Sequence, residues 1–285
     1  MPEFAYRNLI LFFKDKTTVI LSFLAEFIIL GLYLLFIREN LIHSFPMLKN
    51  ADLLMDVWMI SGILGITSVS TTIGAYGIMV EDKVNKIDRD FYISPIRIIS
   101  VPGGYMTSAV IIGFFMSFIL FLFSVIYMAI HYDVKLVTDS IFTIYGMLLL
   151  SAISNASLTL LLVSFLNSNH ALSACCTIIG SLIGFLTGIY LPMGSLPESV
   201  QLLVKCFPPS HSVVLFRQML MEPFVSENFG GLETESAQQF IEHMGMQFYH
   251  NGIPITKAAS LNMLLGSTVV CLAIIFIKLY LFSKH

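Results

Sequence analysis

The residue types that ordinarily carry chemistry are present in this chain but are not assembled by spacing. Its seven histidines are scattered, and no pair has the H-E-x-x-H spacing that sets two imidazoles on one helix face for a metal. Ser210 and His211 are adjacent, but no acidic residue is placed to complete a nucleophilic triad. The four cysteines form no framework: Cys175 and Cys176 share one apolar run, Cys271 lies in another, and Cys206 falls in a loop. Small buried apolar residues are the expected role for them. The phosphate-binding pattern G-x-x-x-x-G-K-[ST] does not occur, so the chain is not expected to bind ATP in that way. No catalytic residue, metal ligand or cofactor site is expected. Two placements carry physical information instead: Glu26, alone among apolar neighbours, and the run of alternating charge from Glu81 to Arg97.

The elements that must position these residues are six apolar stretches, at 17–37, 57–79, 104–130, 140–166, 171–191 and 258–282. A membrane-crossing helix needs about 20 mainly apolar residues. Lipid accepts only helices or closed barrels, because every backbone polar group must be satisfied internally. The runs are continuous rather than alternating, which selects helices. Only 12% of the 285 residues are charged and the mean hydropathy is +0.85, whereas soluble domains carry roughly 25% charged residues. The expected fold is an all-α polytopic membrane protein with six transmembrane helices in one domain spanning 1–285. No internal repeat is visible, so the paired repeats of many secondary transporters find no support.

Charge sets the orientation. The side holding both termini carries nine Lys and Arg against six acids, and the opposite side six against eleven. Short positive loops stay in the cytoplasm, so both termini are expected there. The net charge of −3, without a basic tract, argues against nucleic acid as a partner. The first apolar run is too long for a signal-peptide core, so no removable leader is expected.

Residues 2–15 are too short and charged to span. Ala5, Tyr6, Leu9, Phe12 and Phe13 share one helical face and Glu3, Arg7 and Lys14 another, which fits a helix lying in the membrane interface; an ordinary charged flank is the alternative. In the loop 80–103, Val84, Ile87 and Phe91 recur at i, i+3 and i+7 on an otherwise charged helix, with Asp82 and Lys86 as an i, i+4 pair. Ser94-Pro95 then resembles an N-cap with proline at the first helical position. The stripe fits a groove on a cytoplasmic partner, or alternatively lipid headgroups or the protein's own surface. After the fifth run, Pro192, Gly194, Pro197, Pro208 and Pro209 break the external segment 192–257 into short pieces. A pair of half-helices dipping back into the membrane fits this pattern, the second capped by Ser210 and continuing to Met221. Residues 222–255 are more polar, with a helix expected at about 234–247, as a small cap or a surface loop.

Within the spans, an ionised Glu26 costs at least ~2.5 kcal/mol, so it should meet a partner, line a water-filled pathway or be protonated. The second and fifth runs are rich in small and hydroxyl residues, including overlapping G-x-x-x-G patterns at Gly180, Gly184 and Gly188. These suit close packing within the chain, or against a second protomer or central route.

Several segments, in the right order, resemble the permeases of type-2 ATP-binding-cassette exporters. They are Arg7-Asn8-Leu9 through Phe13-Lys14-Asp15-Lys16; Glu81-Asp82-Lys83 with its charged helix and Ser94-Pro95-Ile96; Gly188-Ile189-Tyr190-Leu191-Pro192 with Leu196-Pro197; and Phe207-Pro208-Pro209, Ser210-His211 and Phe216-Arg217. The resemblance implies that 81–91 is a coupling helix seated on a separate cytoplasmic ATPase, with Glu81, Asp82, Lys86, Ile87, Arg89 and Phe91 as coupling residues. It implies two permeases, identical or homologous, with two ATPases that bind the ATP and Mg, in a bacterial plasma membrane. It makes the hairpin after the fifth span part of an extracellular gate, with Pro192, Leu196, Pro197 and Phe207 as gate residues, and Glu26 a candidate for the translocation pathway. The sparse charge suits a hydrophobic or amphipathic cargo such as a drug, lipid-like molecule or peptide. Two other readings stand beside it: an ion-coupled secondary transporter, and a membrane scaffold or sensor that moves nothing.

Overall fold

The structure, a computed structural model, describes residues 2–93, 100–132, 141–250 and 252–282. The expected Ser94-Pro95 turn and Arg97 lie outside these residues, as does most of the short loop after the third span.

Helix α1 (Pro2–Lys14) precedes the first span, which is built in pieces: α2 (Lys16–Ser22), α3 (Leu24–Leu32), a π-helical stretch Tyr33–Ile37, and α4 (Arg38–Ser44). Asp15 caps α2, accepting from the Thr17 and Thr18 amides. Then follow α5 (Ala51–Val84), α6 (Ile87–Ile93), α7 (Ser100–Tyr132), α8 (Ile141–Ser164) and α9 (Asn169–Leu186). After a short 3-10 turn, Met193–Ser195, come α10 (Glu198–Cys206), α11 (Pro208–Phe229), α12 (Glu235–His243), a two-residue antiparallel ribbon of β1 (Tyr249–His250) and β2 (Ile253–Pro254), and α13 (Lys257–Phe282). Among the described residues, six helices are long and apolar enough to cross a membrane: Lys16–Ser44, Ala51–Val84, Ser100–Tyr132, Phe142–Ser164, Asn169–Leu186 and Lys257–Leu281.

The second span, α5, is the axis of the bundle. Its most apolar window is 94% buried, against 11% for α9 and 22% for α13 at the periphery. A helix can be enclosed so completely only if neighbours come close, and small residues permit this. At Gly65 an added Cβ would stand 2.8 Å from the Val213 backbone, so α11 crosses directly over α5 there. Hydroxyls on the same helix bond across to α8: Ser68 with Ser151 at 3.2 Å, Thr72 with Thr159 at 2.9 Å, and the Asn155 amide donating to Ser68 at 2.7 Å. Packing within the chain therefore accounts for the small residues of α5. Those of α9 behave differently: Thr177 and Ser181 are exposed, and Gly180 has open space beside it.

Apolar side chains divide between the two ends of the bundle. At the end holding the termini, Phe12, Tyr76, Val101, Tyr105, Ile112 and Leu160 form one core. Toward the opposite end, Trp58, Leu64, Phe216, Met221 and Phe240 belong to a larger one.

Candidate functional site

At the terminal end, α1 is fastened to the loop between the second and third spans. Asp82 is the anchor. Arg7 forks onto its carboxylate with two bonds of 2.8 Å, and the Tyr105 hydroxyl donates to the same group. The Asp82 carboxylate holds the Arg7 guanidinium above its usual range, against the pull of partial burial. The guanidinium also lies over the Phe4 and Phe91 rings, at 5.7 and 5.6 Å, and Phe4 meets Phe91 and Tyr105 edge-on at 4.9 Å each. An added Cβ on Gly104 would stand 2.5 Å from Phe4, so this seat requires glycine. The buried stripe of α1 is Ala5, Asn8 and Phe12, while Tyr6 and Phe13 are exposed. The face expected from periodicity is thus rotated, because Arg7 turns inward to reach Asp82.

The loop is not one helix from 81 to 91. Helix α5 ends at Val84, Lys86 takes a left-handed turn with φ 62°, and α6 starts at Ile87. This break separates Val84 from Ile87 and Phe91, so the expected single stripe is divided. It also ends the helical spacing between Asp82 and Lys86, and Asp82 pairs with Arg7 instead. Phe91 packs inward beneath Phe4. Glu81, Val84 and Lys86 are exposed and Ile87 is half-buried. Arg89 falls on the backbone of α6, between Ile87 and Phe91.

The opposite end is closed by a second arginine. Arg217 on α11 is 1% exposed and bonds three backbone carbonyls: Gly188 at 2.7 Å, Met244 at 3.1 Å and Gly245 at 3.3 Å. Gly188 follows the end of α9, and Met244 and Gly245 follow α12, so one cation meets the negative ends of two helices. Burial pulls its pKa down to about 9, which leaves it charged at neutral pH. It lies 4.6 Å from the Trp58 ring, and the Trp58 indole donates to the Met244 carbonyl at 2.8 Å. Arg217 therefore ties the fifth span, the hairpin α10–α11, the α12 cap and α5 into one unit.

The expected gate residues surround this unit. Pro192 is buried, Leu196 joins Met193, Val204, Val214 and Phe248 in a small core, Phe207 is half-buried where α10 turns into α11, and Pro197 is exposed at the start of α10. Ser210 lies inside the first turn of α11, which begins at Pro208 and runs to Phe229, so it does not cap that helix. Its hydroxyl donates to the Val204 carbonyl and, at 2.6 Å, to Phe207, joining α10 to α11. His211 bonds the Lys205 carbonyl at 2.9 Å and Ser260 at 3.2 Å, and burial draws its imidazole below the usual range.

A third polar centre was not anticipated. Asp56, 2% exposed, collects Tyr33 at 2.6 Å, Arg38 at 2.9 Å, Tyr127 at 2.8 Å and Tyr132 at 2.6 Å. It joins the ends of the first three spans that lie opposite the termini, beside the π-helical stretch. Asp56→Asn keeps the size but leaves Arg38 without its counter-charge and turns an amide N–H toward hydroxyl donors. A loss of about 3 kcal/mol is expected, read as a lowered midpoint in thermal unfolding in detergent.

Glu26 faces α5: the Ser70 hydroxyl donates to its Oε1, and the residue is 2% exposed. Its buried Oε2 has no hydrogen-bond partner among the described residues. No group of three or more His, Cys, Asp or Glu able to hold a metal occurs among the described residues.

A central helix packed among further apolar spans and α11, with a clasped loop at one end and a latched hairpin at the other, defines a polytopic α-helical membrane protein. The sequence profile described as "ABC-2 family transporter protein" matches residues 49–277, and the chain belongs to that family. It is thus the membrane subunit of an ABC transporter. No curated protein and no solved structure matches it.

Proposed function

We propose that the chain is the permease of an ATP-driven exporter, working as a pair of permeases, identical or homologous, with two cytoplasmic ATPase subunits that bind ATP and Mg. Both termini face the cytoplasm of a bacterial cell, α1 lies in the membrane interface, and the loop Glu81–Phe91 receives the ATPase. The observation that carries this reading is the clasp of Arg7, Asp82 and Tyr105. A loop fastened at once to α1, α5 and α7 transmits a push to the spans, whereas a loose loop would absorb it. Glu81, Lys86, Ile87 and Arg89 form the contact, and Asp82 and Phe91 hold the loop in place. Pro192, Leu196, Pro197 and Phe207 belong to a re-entrant gate on the outer side, and Glu26, with its free oxygen, lies on the route of a hydrophobic or amphipathic cargo such as a drug, lipid-like molecule or peptide.

The test is Ile87→Asp. The carboxylate opposes docking in an apolar groove without touching the clasp. Transport and ATPase retention should be lost while thermal unfolding stays at the wild-type midpoint. Full transport in this variant excludes the loop as the coupling contact.

A further inference from the structure

A groove of about 1180 Å³ opens at the terminal end of the bundle, between the ends of α5, α8 and α13 and the start of α9. Its floor is apolar, formed by Met79, Leu160 and Ile275, and its rim carries Lys83, Lys86, Lys278 and His170. The negative groups facing this rim are Asp88 and the carbonyls that end α8. Lys83 donates to Ser164 at 3.3 Å and to Leu166 at 3.2 Å, and Lys278 donates to the same Ser164 carbonyl at 2.6 Å. Two ammonium groups thus share one carbonyl oxygen, and among the described residues of the rim one carboxylate, Asp88, stands against three lysines. The start of α9, capped by Ser168, lies on the same rim and adds the positive end of an 18-residue helix.

We propose that this groove binds an anionic phospholipid, its phosphate held by Lys83, Lys86 and Lys278 and an acyl chain laid along the apolar floor of Met79, Leu160 and Ile275. Phosphate supplies the charge that the rim lacks and accepts the ammonium donors left over from the α8 carbonyls. The apolar floor suits an acyl chain, which a soluble phosphate does not possess. Lys86 is shared with the proposed ATPase contact, so lipid retention is read on the chain purified without the ATPase.

Native mass spectrometry of the full chain in mild detergent, titrated separately with phosphatidylglycerol, phosphatidylcholine and inorganic phosphate, tests it. Phosphatidylglycerol should be retained in preference to phosphatidylcholine, and a hundredfold excess of inorganic phosphate should not displace it. Lys278→Ala should weaken retention about fivefold, for about 1 kcal/mol per lysine at a membrane surface. Lys278 also donates to Ser164 at the end of α8, so Lys86→Asn serves as the second variant: it removes an exposed charge, keeps a residue that tolerates the left-handed turn, and should weaken retention by a similar factor. Equal retention of the two lipids, displacement by inorganic phosphate, or unchanged retention in Lys86→Asn would each overturn the assignment.

Discussion

Arg217→Ala is expected to cost the chain about 3–5 kcal/mol, the largest loss from any single substitution at the end opposite the termini. The substitution strips three buried carbonyls of a charged donor and removes the side chain from beneath the Trp58 ring. Met244 keeps the Trp58 indole as a donor, but Gly188 and Gly245 lose their bonds to Arg217, so the ends of α9 and α12 loosen from α11. Arg217→Lys should recover little, because one ammonium cannot reproduce a planar fork over carbonyls on two sides. Thermal unfolding in detergent, with hydrogen exchange over 188–196 and 235–248, reads the effect. An unfolding midpoint within a degree of wild type for Arg217→Ala would refute the role assigned to this residue.

The second large effect is expected at the clasp. Asp82→Ala leaves Arg7 and Tyr105 without their common acceptor, and breaking a buried charge pair costs about 3 kcal/mol. With Arg7 one-third exposed and Asp82 almost wholly buried, most of the penalty lies in the orphaned Tyr105 and in the contacts Phe4 makes. Helix α1 should detach locally, and amide exchange over 2–14 should quicken about 100-fold while the spans stay protected. Phe91→Asp should release α1 in the same way, since Phe91 lies under Phe4. Ile87→Asp should not. That difference separates a residue that holds the loop from one that meets a partner, and unchanged exchange in Asp82→Ala would show that the clasp carries no weight.

What could be read from the chain and what could not follow a physical division. The six spans were legible because lipid forces long apolar runs, and the helix expected at about 234–247 is present over the shorter range 235–243. The helix at 2–14 was likewise foreseen, but its inward face was not, because the rotation depends on Asp82, 75 residues away. Charge alternation between Asp82 and Lys86 suggested a continuous helix, and the left-handed turn at Lys86 leaves no mark in a pattern of charges. Asp56 escaped notice because it stands at the margin of an apolar run, where acids are ordinary; only the fold gathers three tyrosines and Arg38 around it. Arg217 was visible in the Phe216-Arg217 pair, but nothing local says that a cation there closes two helices. Glu26 was the reverse case: its isolation among apolar residues identified it directly, and Ser70 is its one hydrogen-bonding side chain among the described residues.

The central claim is that this chain works by transmitting the force of a separate ATPase through the loop between its second and third spans. Purification of the tagged chain from its native membranes in mild detergent, with identification of bound proteins and measurement of ATP hydrolysis, tests it most directly. The account predicts a cytoplasmic ATPase in equal amount to the chain, hydrolysis in the purified complex, and loss of both with Ile87→Asp. A chain recovered alone, without hydrolysis, from membranes whose transport continues in the absence of ATP would contradict it.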